Sequence, residues 1–304
     1  VDDRLLRHER RYWRESAVAY GLRPALSEST LWDALAVAML FGTEDRDNAD
    51  ALLRHLPALA DQSRDRRDTV RTWITSLYPP IDARSWGSLQ PDRLAERFVG
   101  TRLAATAELP DPLLAAATPA QVQQLLTVYA RAANHPATES GLDAGLTALC
   151  IQHSRVLALP AIDAATQVEA PAPLIAALRH LTTDPDVALD ALIQMADRLP
   201  RSSHNLAKWA AELSQRVVDE HRQLAGEDPE VLPELARLLN NLSVRLGDLG
   251  QREKALTTIQ EAVTTYRQLA EKWPDAHQRD LDQSLLIREW LQGLGRESEP
   301  PPDA

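Results

Sequence analysis

Cysteine, glycine, aromatic side chains and positive charge are all scarce in this chain, and each shortage excludes something. A single cysteine, Cys150, cannot close an internal disulfide, so no disulfide framework holds the fold and a cytoplasmic setting is expected. Only 11 glycines are present, and none belongs to a Gly-x-x-x-x-Gly-Lys-Ser/Thr loop. The backbone cradle and lysine that hold nucleotide phosphates are therefore missing from this stretch of sequence. Lysine and arginine number 33 against 44 acidic residues, a net charge of -11. Nucleic-acid binding by the chain as a whole is disfavoured, because phosphate binding needs a positive field. No apolar run approaches the roughly 18 residues a membrane helix requires. Val1 to Arg11 is charged and has no signal-peptide core. Val1 in place of an initiating methionine leads us to expect a piece of a longer protein.

What remains is leucine, alanine and charge. The hydrophobic fraction is 44% and the charged fraction 25%, a balance that favours folded helices almost everywhere. Apolar spacing and breakers predict helices over 4–20, 31–41, 44–56, from Arg64 to Leu77, and 92–103. In the first of these, Leu5, Leu6, Tyr12, Trp13 and Val18 are expected to pack; the second is apolar nearly all round and should be buried. Ser27 or Ser29 can cap it. A small hairpin is expected near 80–90. From Pro112 onward the pattern is helix, short turn, helix, with candidates at 119–134, 138–150, 161–168, 171–181, 185–198 and 203–225, and breaks at prolines including Pro160. We expect an all-α fold: a helical, winged-helix-like module over 1–110, irregular helical pairs over 111–200, a repeat over 201–296 and a disordered tail over 297–304.

The repeat is the strongest signal. Pro229 to Gly250 recurs as Pro274 to Gly295, 45 positions on, and Arg222-Gln223-Leu224-Ala225 returns unchanged as Arg267-Gln268-Leu269-Ala270. Leu235, Leu238, Leu239, Leu242, Leu246 and Leu249 fall on one helix face. The following helix offers Ala255, Leu256, Ile259, Ala262, Val263, Tyr266 and Leu269, small residues for close approach and large ones to fill. Units that cannot bury their own apolar faces must stack, which makes a solenoid.

Leu239, Leu242, Ser243, Leu246, Ala255, Ile259 and Ala262 resemble the large-and-small packing pattern of tetratricopeptide repeats, with a longer unit and Ser243 where glycine or alanine is commoner. Arg288 stands at the equivalent small position of the last unit, from which an open side is expected there. At the front, His8-Glu9-Arg10-Arg11-Tyr12-Trp13, the helix Leu31–Gly42 and Trp86-Gly87-Ser88-Leu89-Gln90-Pro91-Asp92-Arg93-Leu94 resemble the segment that follows the nucleotide-binding core in actinobacterial signalling ATPases of the STAND class, related to NACHT and NB-ARC proteins. That resemblance implies a non-catalytic sensing or transducing arm, with a nucleotide-binding domain outside this chain and a protein or peptide ligand on the helical repeats.

Candidate sites follow from charge placement. Arg237, Asn241 and Arg245 are spaced by four on the flank of the first repeat helix, away from the leucines, with Lys208 and Lys254 in nearby turns. An asparagine beside basic residues suits a peptide backbone or carboxylate. Arg64, Arg66, Arg67 and Arg71 are expected to contact a neighbouring domain, although Asp61, Asp65 and Asp68 interleave with them. His8-Glu9 lacks the second histidine of a zinc site, since Tyr12 stands there; Glu44 to Asp50 lacks the glycine and the final glutamate of a calcium loop and reads as helix capping. No metal or cofactor and no catalytic residue is expected, and Cys150, between Leu149 and Ile151, reads as core. The alternatives are a freestanding repeat scaffold, a DNA-binding regulator using Arg64–Arg71, and a helical enzyme built from distant histidines and carboxylates.

Overall fold

The computed structural model describes residues 2–80, 86–136, 141–200 and 203–293. Among them are fifteen α-helices and no strand. The chain divides into two compact units, Val1–Ala177 and Leu178–Ala304.

In the first unit the helices are α1 (Asp2–Ala19), α2 (Glu28–Phe41), α3 (Arg46–His55), α4 (Pro57–Ala60), α5 (Arg64–Leu77), α6 (Asp92–Ala105), α7 (Pro119–Ala133), α8 (Leu142–Gln152) and α9 (Ser154–Gln167), and α10 (Ala172–Thr183) carries residues of both units. Helix α2 is the axis. It is buried over nearly its whole length and packs against α5, α6 and α7. Ser27 caps it, accepting from Thr30 N at 3.0 Å. Gly42 ends it at φ 60, with Gln124 lying where a Cβ would project. Trp13 of α1 packs edge-on against Phe98 of α6 at 4.8 Å and lies 5.3 Å from Trp32. Its Nε1 donates to Tyr78 Oη (2.6 Å), which donates to Glu9 Oε2 (3.0 Å). Burial and then Glu9 drive the Tyr78 phenol well above its usual range.

Several expectations are corrected. On α1, Leu6, Trp13 and Ala17 are buried, whereas Leu5, Tyr12 and Val18 are exposed, because the true stripe follows helical offsets of seven and four and the expected set wraps too far round the helix. Pro160 does not break the chain; α9 runs through it. The carbonyl left without a donor is that of Val156, on the exposed side of the helix, where solvent can bond it. No strand occurs over 86–90, and the other half of the hairpin expected near 80–90, residues 81–85, lies outside the described residues, as does the tail over 297–304.

In the second unit α11 (Leu189–Asp197), α12 (Ala207–Glu227), α13 (Leu232–Asp248), α14 (Arg252–Lys272) and α15 (Pro274–Gly293) pack in chain order, and α13 also meets α15. Leu235, Leu239, Leu242 and Leu246 of α13 join Ala255, Ile259 and Ala262 of α14 and Leu291 of α15 in one core. Each of these leucines contributes about 2 kcal/mol by burial. The close approach of α13 to α15 falls at Gly247, where a Cβ would lie 2.6 Å from Leu291 Cδ2. Arg222 of α12 reaches Glu261 of α14 through two hydrogen bonds of 3.0 and 2.7 Å.

A candidate ligand cavity beside helix α13

The three residues spaced by four along α13 have different environments. Arg237 donates twice to Glu234, at 2.8 and 2.5 Å, and holds its carboxyl below the usual range. Asn241 is exposed. Arg245 is mostly covered, and its guanidinium makes no ion pair or hydrogen bond among the described residues. Burial lowers its pKa, opposed by the charge of Asp248. Lys208 and Lys254 are both exposed, and Lys254 Nζ donates to Gln251 Oε1 at 3.1 Å. Of the five, the structure brings Arg245 alone to a cavity.

That cavity has a volume of about 300 Å³ and is formed by Leu199, Pro200, Ser203, His204, Leu206, Ala207, Ala210, Arg245 and Asp248. Its size is at the low end of ligand pockets, suited to a side chain or chain terminus. One unit later, the residue equivalent to Ala207 is Arg252, and the residue equivalent to Arg245 is Trp290. Arg252 lies across the end of α15 and donates to Leu291 O (3.1 Å) and Gln292 O (2.8 Å), a basic cap on terminal carbonyls. At the α12–α13 pair Ala207 is too short to make that contact, and among the described residues a cavity lies there. The sequence reading missed His204, Asp248 and Ala207. Aligning Ala207 with Arg252 across the 45-residue register is the signal that could have found them.

The other candidates are engaged within the first unit. Arg66 donates to Gly21 O at 3.0 Å, Arg67 pairs with Asp50 at 3.0 Å, and Arg71 pairs with Asp68 at 3.0 Å, while Arg64 is exposed and 3.8 Å from Asp47. The acidic run over 44–50 caps α3, with Asp45 Oδ1 accepting from Asn48 N at 2.8 Å. Among the described residues no group of three His, Cys, Asp or Glu is arranged to hold a metal ion, and no helix is long and apolar enough to cross a membrane. Burial pushes the Cys150 thiol up to about 12. The thiolate is the reactive species, so iodoacetamide at about pH 8 should leave Cys150 unmodified in the native protein and label it once the chain is unfolded in denaturant. Rapid native labelling would contradict its placement in the core.

The fold defines a class: among the described residues every regular element is helical, and in the second unit the helices pack in chain order, consistent with a helical solenoid. Compared with protein families, curated proteins and solved structures, the chain finds no match in any of the three.

Proposed function

We propose that this chain is a non-catalytic, cytoplasmic sensor arm of a multidomain signalling ATPase of the STAND class, and that its tetratricopeptide-like repeats receive an acidic group of a protein or peptide. The front motifs and the 45-residue repeat support the family reading, with 1–110 as the winged-helix-like module and the exposed Arg64 as the member of the Arg64, Arg66, Arg67 and Arg71 group left for contact with the nucleotide-binding domain. The observation that carries the binding role is Arg245. A largely covered guanidinium beside a small cavity, with the charge of Asp248 nearby but no hydrogen bond or ion pair among the described residues, is a costly arrangement that an incoming carboxylate relieves. Leu206 and Ala210 supply the apolar contact around it. Asn241 is left exposed to bond the ligand backbone.

The test uses three immobilised pools of random hexapeptides: one with free C-terminal carboxylates, one amidated and rich in Asp and Glu, one amidated and neutral. The chain is expected to be retained by the free-carboxylate or acidic pool and not by the neutral one. Arg245→Gln should weaken retention by about 10-fold or more, the loss of one charge-assisted hydrogen bond. Ala207→Arg should do the same by placing a long side chain in the cavity. Equal retention by all three pools, or by wild type and both variants, contradicts the reading.

A further inference from the structure

Two cavities of the first unit adjoin where helices α6 and α7 pack against each other. Their volumes are about 350 and 420 Å³, and Glu96, Arg131 and Gln167 line both. Helical spacing brings the residues there. Asp92, Ala95 and Glu96 of α6 are spaced by three and four, and Gln124, Val128 and Arg131 of α7 by four and seven, so each set occupies one side of its helix. Gln167 is the last residue of α9.

The two compartments differ in chemistry. Arg93, Glu96, Arg131 and Glu169 face the smaller one, two charges of each sign. None of the four makes an ion pair or a side-chain hydrogen bond, with one another or with any other described residue. Asn134 and Gln167 add amides that can donate or accept. The larger compartment has an apolar wall of buried Met39 and Leu89 with Ala95 and Val128. Asp92, at its edge, is already engaged, accepting from Gln90 Nε2 at 3.1 Å.

Opposite charges that face one cavity without pairing leave both donors and acceptors unused in a compartment of zero net charge. A simple anion would suit the arginines and be repelled by the carboxylates, and a simple cation the reverse. A zwitterion serves both. We propose that the joined cavities bind a free α-amino acid with a large apolar side chain. Arg131 and Arg93 take its carboxylate, whose two oxygens match a guanidinium fork. Glu96 and Glu169 take its ammonium group, and Met39, Leu89 and Val128 receive the side chain. Both compartments fall in the size range of small-molecule sites. They share no residue with the α13 cavity, so either site can fail alone.

The test uses the full 304-residue chain, with L-leucine, L-methionine and L-phenylalanine titrated one at a time and followed by saturation-transfer NMR. At least one should bind, and glycine should bind more weakly than it does. Leucinamide, which lacks the carboxylate, and 4-methylpentanoate, which lacks the ammonium group, should each bind about 10-fold or more weakly than leucine. Arg131→Gln should weaken leucine about 10-fold or more and leave leucinamide unchanged; Glu96→Gln should weaken leucine and leave 4-methylpentanoate unchanged. A variant that had merely lost its fold would weaken both ligands of each pair. Arg245→Gln should bind leucine as wild type does, which separates this site from the α13 cavity. Absence of binding by all three amino acids, equal binding of leucine and leucinamide, full binding by Arg131→Gln, or loss of binding in Arg245→Gln overturns the proposal.

Discussion

Asp33→Ala should destabilise the first unit by about 3–5 kcal/mol, the cost of breaking a covered ion pair by removing one partner. Arg102 and Asp33 are 12% and 13% exposed, so solvent screens them little. The carboxylate takes hydrogen bonds from two guanidinium nitrogens, at 3.0 and 2.5 Å. Without it Arg102 is left charged beside Arg10 and Arg97, with only the Ser29 hydroxyl to bond. For a unit of this size the melting temperature should fall on the order of 10 °C. The double variant Asp33→Leu/Arg102→Met removes both charges and should recover most of the loss. A single-variant cost below about 1 kcal/mol, the range of exposed pairs, would sink this account of the α2–α6 contact.

In the second unit the largest effect is expected at Trp209. Its side chain is fully buried, and Nε1 donates to Thr182 Oγ1 at 3.0 Å, which itself donates to Leu178 O at 2.9 Å. Trp209→Ala leaves a cavity and removes the donor to the Thr182 hydroxyl, a loss of about 3–5 kcal/mol. Trp209→Phe keeps much of the volume and loses the hydrogen bond, so it should cost about 1–2 kcal/mol. Urea unfolding followed by far-ultraviolet circular dichroism separates the two. If Trp209→Ala and Trp209→Phe cost the same, volume is not what Trp209 contributes.

Much of the helical layout was legible because it depends on local spacing. The buried set Val70, Trp73, Ile74 and Leu77 and the burial of α2 follow from apolar periodicity, and the acidic cap at Asp45 from short-range hydrogen bonding. Reading failed where a partner distant in sequence decided the outcome. Nothing local in α1 says that the stripe runs through Arg10 rather than Tyr12; that is fixed by Phe98 and Trp32 across the core. Nothing local at Pro160 says that the affected carbonyl can face water. The α13 site was half legible. Offsets of four pick out Arg237, Asn241 and Arg245 alike, but Glu234 neutralises the first, and the cavity beside the third depends on Ala207 in another helix.

The central claim is that Arg245 receives an acidic group, and the side-chain Nε–H resonances of a protein carrying isotope-labelled arginine report on it directly. The Arg245 signal is assigned by its loss in Arg245→Gln, and the free-carboxylate hexapeptide pool is titrated in. The account predicts that the Arg245 resonance moves to saturation, while that of Arg222, held by its paired bonds to Glu261, stays in place. A pool that binds without moving Arg245, or that leaves every arginine resonance unchanged, contradicts it.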